Sequence, residues 1–94
     1  MEPESEERIR RKRLRYRAWH RGMKEMDLVL GRFAESRLED LSETELDAFE
    51  AILACPDVVL YRWLTGAEAV PERYESALLR EILQSASGAA IRTS

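Results

Sequence analysis

The sequence predicts an all-α protein, a small compact antiparallel bundle of about five short helices. Apolar residues recur at spacings of three and four, which marks one buried face of a helix rather than a strand. Capping and stop residues divide the chain into helical segments. The connections between segments are short enough to make neighbours antiparallel. With 94 residues the chain is one domain at most, and a chain of this size hides about two-thirds of its unfolded surface.

The first helix is expected over roughly Ser5 to His20. Leu14 and Ala18 share one stripe, with Tyr16 and Trp19 alongside, while charge surrounds most of the wheel. So polar a helix packs along a narrow seam. Arg21-Gly22 then interrupts the pattern. A second helix starts at or just after Gly22, carries Met23, Met26, Leu30 and Phe33 on its buried face with Val29 and Ala34 on its margins, and fades near Glu35-Ser36. Gly31 costs about 1 kcal/mol against alanine in a helix interior, a cost that close helix packing would explain. The third helix has the clearest start: Ser42-Glu43-Thr44-Glu45 is a capping box, and Leu41 with Leu46 forms a hydrophobic staple. Leu46, Phe49, Ile52 and Leu53 supply its buried face, and Cys55-Pro56 closes it. Asp57 is expected to cap a short fourth helix bearing Leu60, Trp63 and Leu64 and ending at Thr65-Gly66. Pro71 is expected in the first turn of a fifth helix, with Glu72 and Glu75 near its N-terminus and Tyr74, Leu78 and Ile82 as its stripe. The domain is expected over 8–84, behind an acidic flexible leader (1–7) and before a small, polar, flexible tail (85–94).

The composition, 45% hydrophobic and 35% charged, is that of a folded globular chain. No apolar run approaches the roughly 20 residues of a membrane span. The acidic start Met1-Glu2-Pro3-Glu4-Ser5-Glu6-Glu7 argues against a secretory signal or transit peptide. A single cysteine, Cys55, excludes an internal disulfide and is read as a small buried hydrophobe in a reducing compartment. The net charge of −3 conceals a division. Nine of the 15 Lys and Arg residues lie between Arg8 and Lys24, whereas Leu38 to Glu81 holds eleven acids against Arg62, Arg73 and Arg80. A basic end of this kind meets something negative, a protein partner, a nucleic acid or a membrane surface, or else is a solvated basic helix docked on an otherwise acidic bundle. A pI of 5.2 argues against nucleic acid.

The residues point away from an enzyme. One histidine and one cysteine make no metal site of familiar spacing. The four glycines are isolated and form no phosphate loop. Acid pairs such as Glu43 and Asp47 sit at helical spacing on a solvated face. The functional candidate is instead the junction Arg21-Gly22-Met23-Lys24-Glu25. Glycine there supplies a special backbone conformation or lets another backbone come close. Glu25 falls in a first helical turn, where the dipole favours a carboxylate. Asp27 is either a solvated acid or an interface acceptor beside Glu25.

Trp19-His20-Arg21-Gly22-Met23-Lys24-Glu25-Met26-Asp27 resembles the hallmark segment of the SdhE-like proteins, the succinate dehydrogenase assembly factors. Their R-G-x-x-E motif is matched by Arg21, Gly22 and Glu25 and followed by the acid Asp27. The chain length, the basic first helix, the Leu41-Ser42 start and Leu60-Tyr61-Arg62-Trp63-Leu64 also correspond, so the likeness spans roughly Arg8 to Leu83. It implies a five-helix, non-catalytic assembly factor that binds the flavoprotein subunit of succinate dehydrogenase and promotes covalent attachment of FAD to it. The flavoprotein of fumarate reductase is a second candidate client. FAD belongs to the client, and no cofactor is expected to be held stably by this chain. The free form is expected to be a monomer in the bacterial cytoplasm, or in the mitochondrial matrix should a presequence have been removed. The residues expected to bind the partner are Arg21, Gly22, Glu25 and Asp27, joined by Arg17, His20 and Trp63. In this reading Arg21 pairs with a client carboxylate or carbonyl. An adaptor whose basic helix binds nucleic acid or an unrelated protein is the alternative.

Overall fold

Glu6–Trp19 form α1, Lys24–Arg37 α2, Glu43–Leu53 α3, Asp57–Thr65 α4 and Ala77–Thr93 α5. This arrangement comes from a computed structural model that describes residues 5–93, with side chains described for 5–86. The first four leader residues lie outside the described residues, as do the side chains of most of the expected tail. The five α-helices follow one another in the expected order, and no strand occurs among the described residues.

Each helix turns its apolar stripe inward. Leu14 and Ala18 of α1, Met26, Leu30, Phe33 and Ala34 of α2, Leu46, Phe49, Ile52 and Leu53 of α3, Leu60 and Trp63 of α4, and Leu78, Leu79 and Ile82 of α5 form one core. The capping box at Ser42 is complete: Ser42 Oγ accepts from the Glu45 amide at 3.2 Å, and Glu45 Oε1 accepts from the Ser42 amide at 2.9 Å. Those bonds favour the charged form of Glu45 and hold its carboxyl below the usual range.

Four boundaries differ from expectation, and the simplest is that α5 continues to Thr93 through the segment expected as a flexible tail from residue 85. α2 does not fade at Glu35-Ser36. It runs to Arg37 and tightens into a 3₁₀ turn, Leu38–Asp40. Fully buried Leu38 pulls the chain into the core there, and Arg37 Nε donates to Glu81 Oε2 at 2.7 Å. Asp57 does not cap α4. Pro56 stands at the cap and Asp57 is the first helical residue, its carboxylate taken by a distant cation described below. Pro71 does not begin α5. It precedes a 3₁₀ turn, Glu72–Tyr74, and α5 starts at Ala77 after Ser76, whose Oγ accepts from the Leu79 amide at 3.0 Å. Serine is the stronger cap, and the extra turn lets the Tyr74 ring rest 5.4 Å from that of Trp63.

The charge division has a largely internal explanation. Arg10 reaches Asp47 at 2.6 Å and Glu50 at 2.9 Å on α3. Arg15 reaches Glu39 at 3.1 Å. Arg11 donates to the Leu38 carbonyl at 2.5 Å and the Leu41 carbonyl at 3.1 Å. The exposed ion pairs are individually weak. The Arg11 contacts, more buried, tie α1 to the end of the 3₁₀ turn.

At Gly31 the Trp19 ring of α1 lies directly against the backbone of α2. A methyl group there would fall 2.3–2.6 Å from the Trp19 indole, whose N–H donates to Glu35 at 3.1 Å one turn further along. Gly31→Ala gains about 1 kcal/mol of helix propensity but displaces a rigid ring. A net loss of about 1–2 kcal/mol is expected from such overpacking, read as a lower denaturant midpoint at unchanged m. Equal or higher stability would mean that the indole swings away freely.

Candidate functional site

The loop His20–Met23 turns the chain from α1 into α2, and its geometry is set by bonds to distant parts of the chain. α3 ends at Leu53, and Pro56 prevents its continuation. The last carbonyls of such a helix lack intrahelical partners and carry the negative end of its dipole. Arg21 supplies what they lack. Its guanidinium donates to the carbonyls of Leu53 and Cys55, the latter at 2.5 Å, and through Nε to Asp57 Oδ1 at 2.7 Å. The Arg21 and Asp57 side chains are only 10% and 15% exposed, so solvent screens the pair little. One planar cation thus closes the C-terminus of α3 and holds the N-terminus of α4, a task suited to the fixed fork of arginine.

The backbone of the loop is held separately. The Arg21 amide donates to Asp27 Oδ1 at 2.5 Å, so Asp27 reaches back from the first turn of α2 and pins the turn. Gly22 adopts φ = 101°, a region that L side chains rarely enter. A Cβ at Gly22 would face open space. The glycine is therefore required by backbone angle, while its outer side stays clear.

Glu25 differs from Arg21 and Asp27. It lies in the first turn of α2, exposed, with no ion pair or side-chain hydrogen bond among the described residues. Leu28, 36% exposed, follows at i+3 on the same outward face. His20 is exposed at the end of α1. Its ring stacks on Tyr16 at 3.9 Å, and its Nδ1 lies 2.8 Å from the Tyr16 carbonyl oxygen. Arg17 is exposed and approaches Glu50 only to 3.9 Å. Cys55 is buried, with Sγ 3.6 Å from the Ala51 carbonyl oxygen. Burial raises its thiol pKa, which makes it a poor nucleophile.

Seven residues were expected at a partner surface, and the structure divides them. His20, Gly22, Glu25 and Arg17 lie exposed at or near the corner. Asp27 and Arg21 build the corner from within, and the guanidinium expected to reach a partner already holds three acceptors of its own chain. Trp63 is only 6% exposed and belongs to the core, because the Leu60–Trp63 stripe is the inward face of α4. The outward face of α4 instead shows Val58 and Tyr61, 50% and 38% exposed. Sequence reasoning missed Asp57 as the partner of Arg21. The available signal was an acid at a proline-broken helix junction, but nothing local said that its cation lay 36 residues away.

Such a molecule is a small helical bundle whose first interhelical corner is held by side-chain bonds and leaves a carboxylate exposed. Comparison with known proteins gives the class a family. The model of the family described as flavinator of succinate dehydrogenase matches residues 12–86, and this chain belongs to that family. It is 39% identical over 75 residues to the FAD assembly factor SdhE of Acetobacter pasteurianus, covering 80% of this chain and 69% of that one. It is 38% identical over 77 residues to the FAD assembly factor SdhE of Coxiella burnetii, covering 81% and 92%. A mitochondrial succinate dehydrogenase assembly factor 2 from Dictyostelium discoideum is 37% identical over 70 residues, and the match spans only 50% of its length. No helix among the described residues is long and apolar enough to cross a membrane.

Proposed function

We propose that this protein is an assembly factor that binds the flavoprotein subunit of succinate dehydrogenase and promotes the covalent attachment of FAD to it. The observation that carries this reading is the family match over residues 12–86, a span that contains the whole corner. The flavin chemistry belongs to the client, and FAD is the client's cofactor. Attachment needs the client's domains ordered around the flavin. A partner that binds the ordered arrangement more tightly than the open one raises its population. No nucleophile or base from this chain is required, so its role is non-catalytic and attachment is autocatalytic in the client. The flavoprotein of fumarate reductase, built for the same cofactor, is a second client in this proposal.

Within the corner the roles divide. Arg21, Asp57 and Asp27 fix the shape, Gly22 keeps the surface clear, and Glu25 makes the contact by accepting hydrogen bonds from the client. Arg17 and His20 flank it. A nucleic-acid role for the basic helix is less well supported, because Arg10, Arg11 and Arg15 are already bound to the chain's own acids and carbonyls.

Deleting the gene and reading in-gel flavin fluorescence of the succinate dehydrogenase flavoprotein tests the proposal. Loss of the fluorescent band with the polypeptide still present is expected, and an undiminished band would refute it. A pair of substitutions at Gly22 tests the division of roles. Gly22→Ala and Gly22→Arg should both lose about 1–3 kcal/mol to the strained φ and remain helical by circular dichroism. Only Gly22→Arg should also lose the client, because its side chain projects over the docking face. Equal client binding by the two variants would show that the surface beside Gly22 is not contacted.

A further inference from the structure

The corner is not the only shaped surface. A groove of about 490 Å³ runs along α1 beside α3. Ile9 contributes apolar surface to it over the buried Leu14, Arg10, Arg13, Arg17 and Glu50 line it, and Glu6 stands at its N-terminal end. Arg10 is neutralised by Asp47 and Glu50, and Arg17 touches Glu50 only at 3.9 Å. Arg13 is exposed and has no partner among the described residues. Two cations of the groove are thus poorly compensated, on a helix whose other arginines are mostly satisfied. The groove ends at Arg17, one turn of α1 before the corner.

The geometry points to an extended acidic segment of the client flavoprotein as the occupant; this inference rests on the assembly-factor reading. Arg13 and Arg17 stand four residues apart, a rise of about 6 Å along the helix. Carboxylates at alternate positions of an extended chain are about 7 Å apart on one face, so the spacing matches. An apolar side chain of the same segment fits against the half-buried Ile9. The segment would lead directly to the corner, so the two contacts form one continuous surface.

The test uses the full chain and the purified flavoprotein subunit lacking FAD. Arg13→Glu and Arg13→Gln alter a side chain without an internal partner, so both should melt as the parent does. Loss of a charge-assisted contact should weaken client binding about tenfold for Arg13→Gln, and further for Arg13→Glu. The salt dependence of binding should become shallower. Because Cys55 is buried, a benzophenone maleimide on Arg13→Cys will label that site alone. Its crosslink should map to a client segment with acids at alternate positions. Unchanged affinity of both Arg13 variants, or a crosslink to a segment without acids, overturns the groove inference and leaves the assembly-factor reading standing. Millimolar inorganic pyrophosphate that displaces the client only when Arg13 is intact also overturns it, in favour of a phosphate site. Failure of the unaltered chain to bind the flavoprotein is the separate result that removes the assembly-factor reading, and the groove inference with it.

Discussion

Arg21→Ala is expected to cost about 3 kcal/mol of folding stability, a large share of what so small a domain has. The substitution strips three bonds at once. It leaves Asp57 charged and only 15% exposed with no cation beside it, and it leaves the Leu53 and Cys55 carbonyls unsatisfied. Removing one partner of a buried pair is more damaging than never having had the pair, because the remaining charge stays desolvated. For a chain of this length the melting temperature should fall by more than about 10 °C. Arg21→Lys should recover part of the loss, since an ammonium keeps the charge but cannot fork across three acceptors. Asp57→Ala should be nearly as harmful alone, yet add little on top of Arg21→Ala. That non-additivity in a double-mutant cycle is the specific signature of the pair. An Arg21→Ala variant that melts with the parent would mean the guanidinium is not bound where the structure places it.

Glu25 is expected to show the opposite profile. Its carboxylate has no partner among the described residues and gains only from the α2 dipole, so Glu25→Gln should change stability by less than about 1 kcal/mol. Its effect should lie in affinity. A carboxylate that accepts a charged hydrogen bond on docking contributes about 1.5–3 kcal/mol, so the dissociation constant for the flavoprotein should rise about 10- to 100-fold. Titration calorimetry with the flavoprotein lacking FAD measures this, and the melting curve of the same sample shows whether the fold was spared. Arg21 and Glu25 are four residues apart in one short motif. They are predicted to fail differently, Arg21→Ala by unfolding and Glu25→Gln by not binding.

Periodicity and caps made the helices legible because those signals are local. Ser42 with Glu45, and Met26 with Leu30 and Phe33, each act within one or two turns. The misplaced boundaries have tertiary causes. Leu38 extends α2 because the core takes its side chain, and Tyr74 leaves the α5 stripe because its ring packs on Trp63. The corner was legible as a place, through Gly22 and the change from basic to apolar sequence, but not as a mechanism of assembly. Nothing near Arg21 in the chain names Leu53, Cys55 and Asp57 as its acceptors. An arginine in a recognisable motif therefore reads as a contact residue when it is a structural one. Trp63 misleads differently: a tryptophan at helical spacing reads as core more often than as contact, and it is the resemblance that places it at the partner surface.

The central claim is that the corner is a rigid mount for Glu25. In cells whose only copy of the gene carries Glu25→Gln, in-gel flavin fluorescence of the succinate dehydrogenase flavoprotein can be normalised to the amount of that polypeptide and of the variant. The expected result is a normal level of folded variant with covalent flavin reduced to the level of the deletion strain. Full covalent flavin at a normal variant level would contradict the claim.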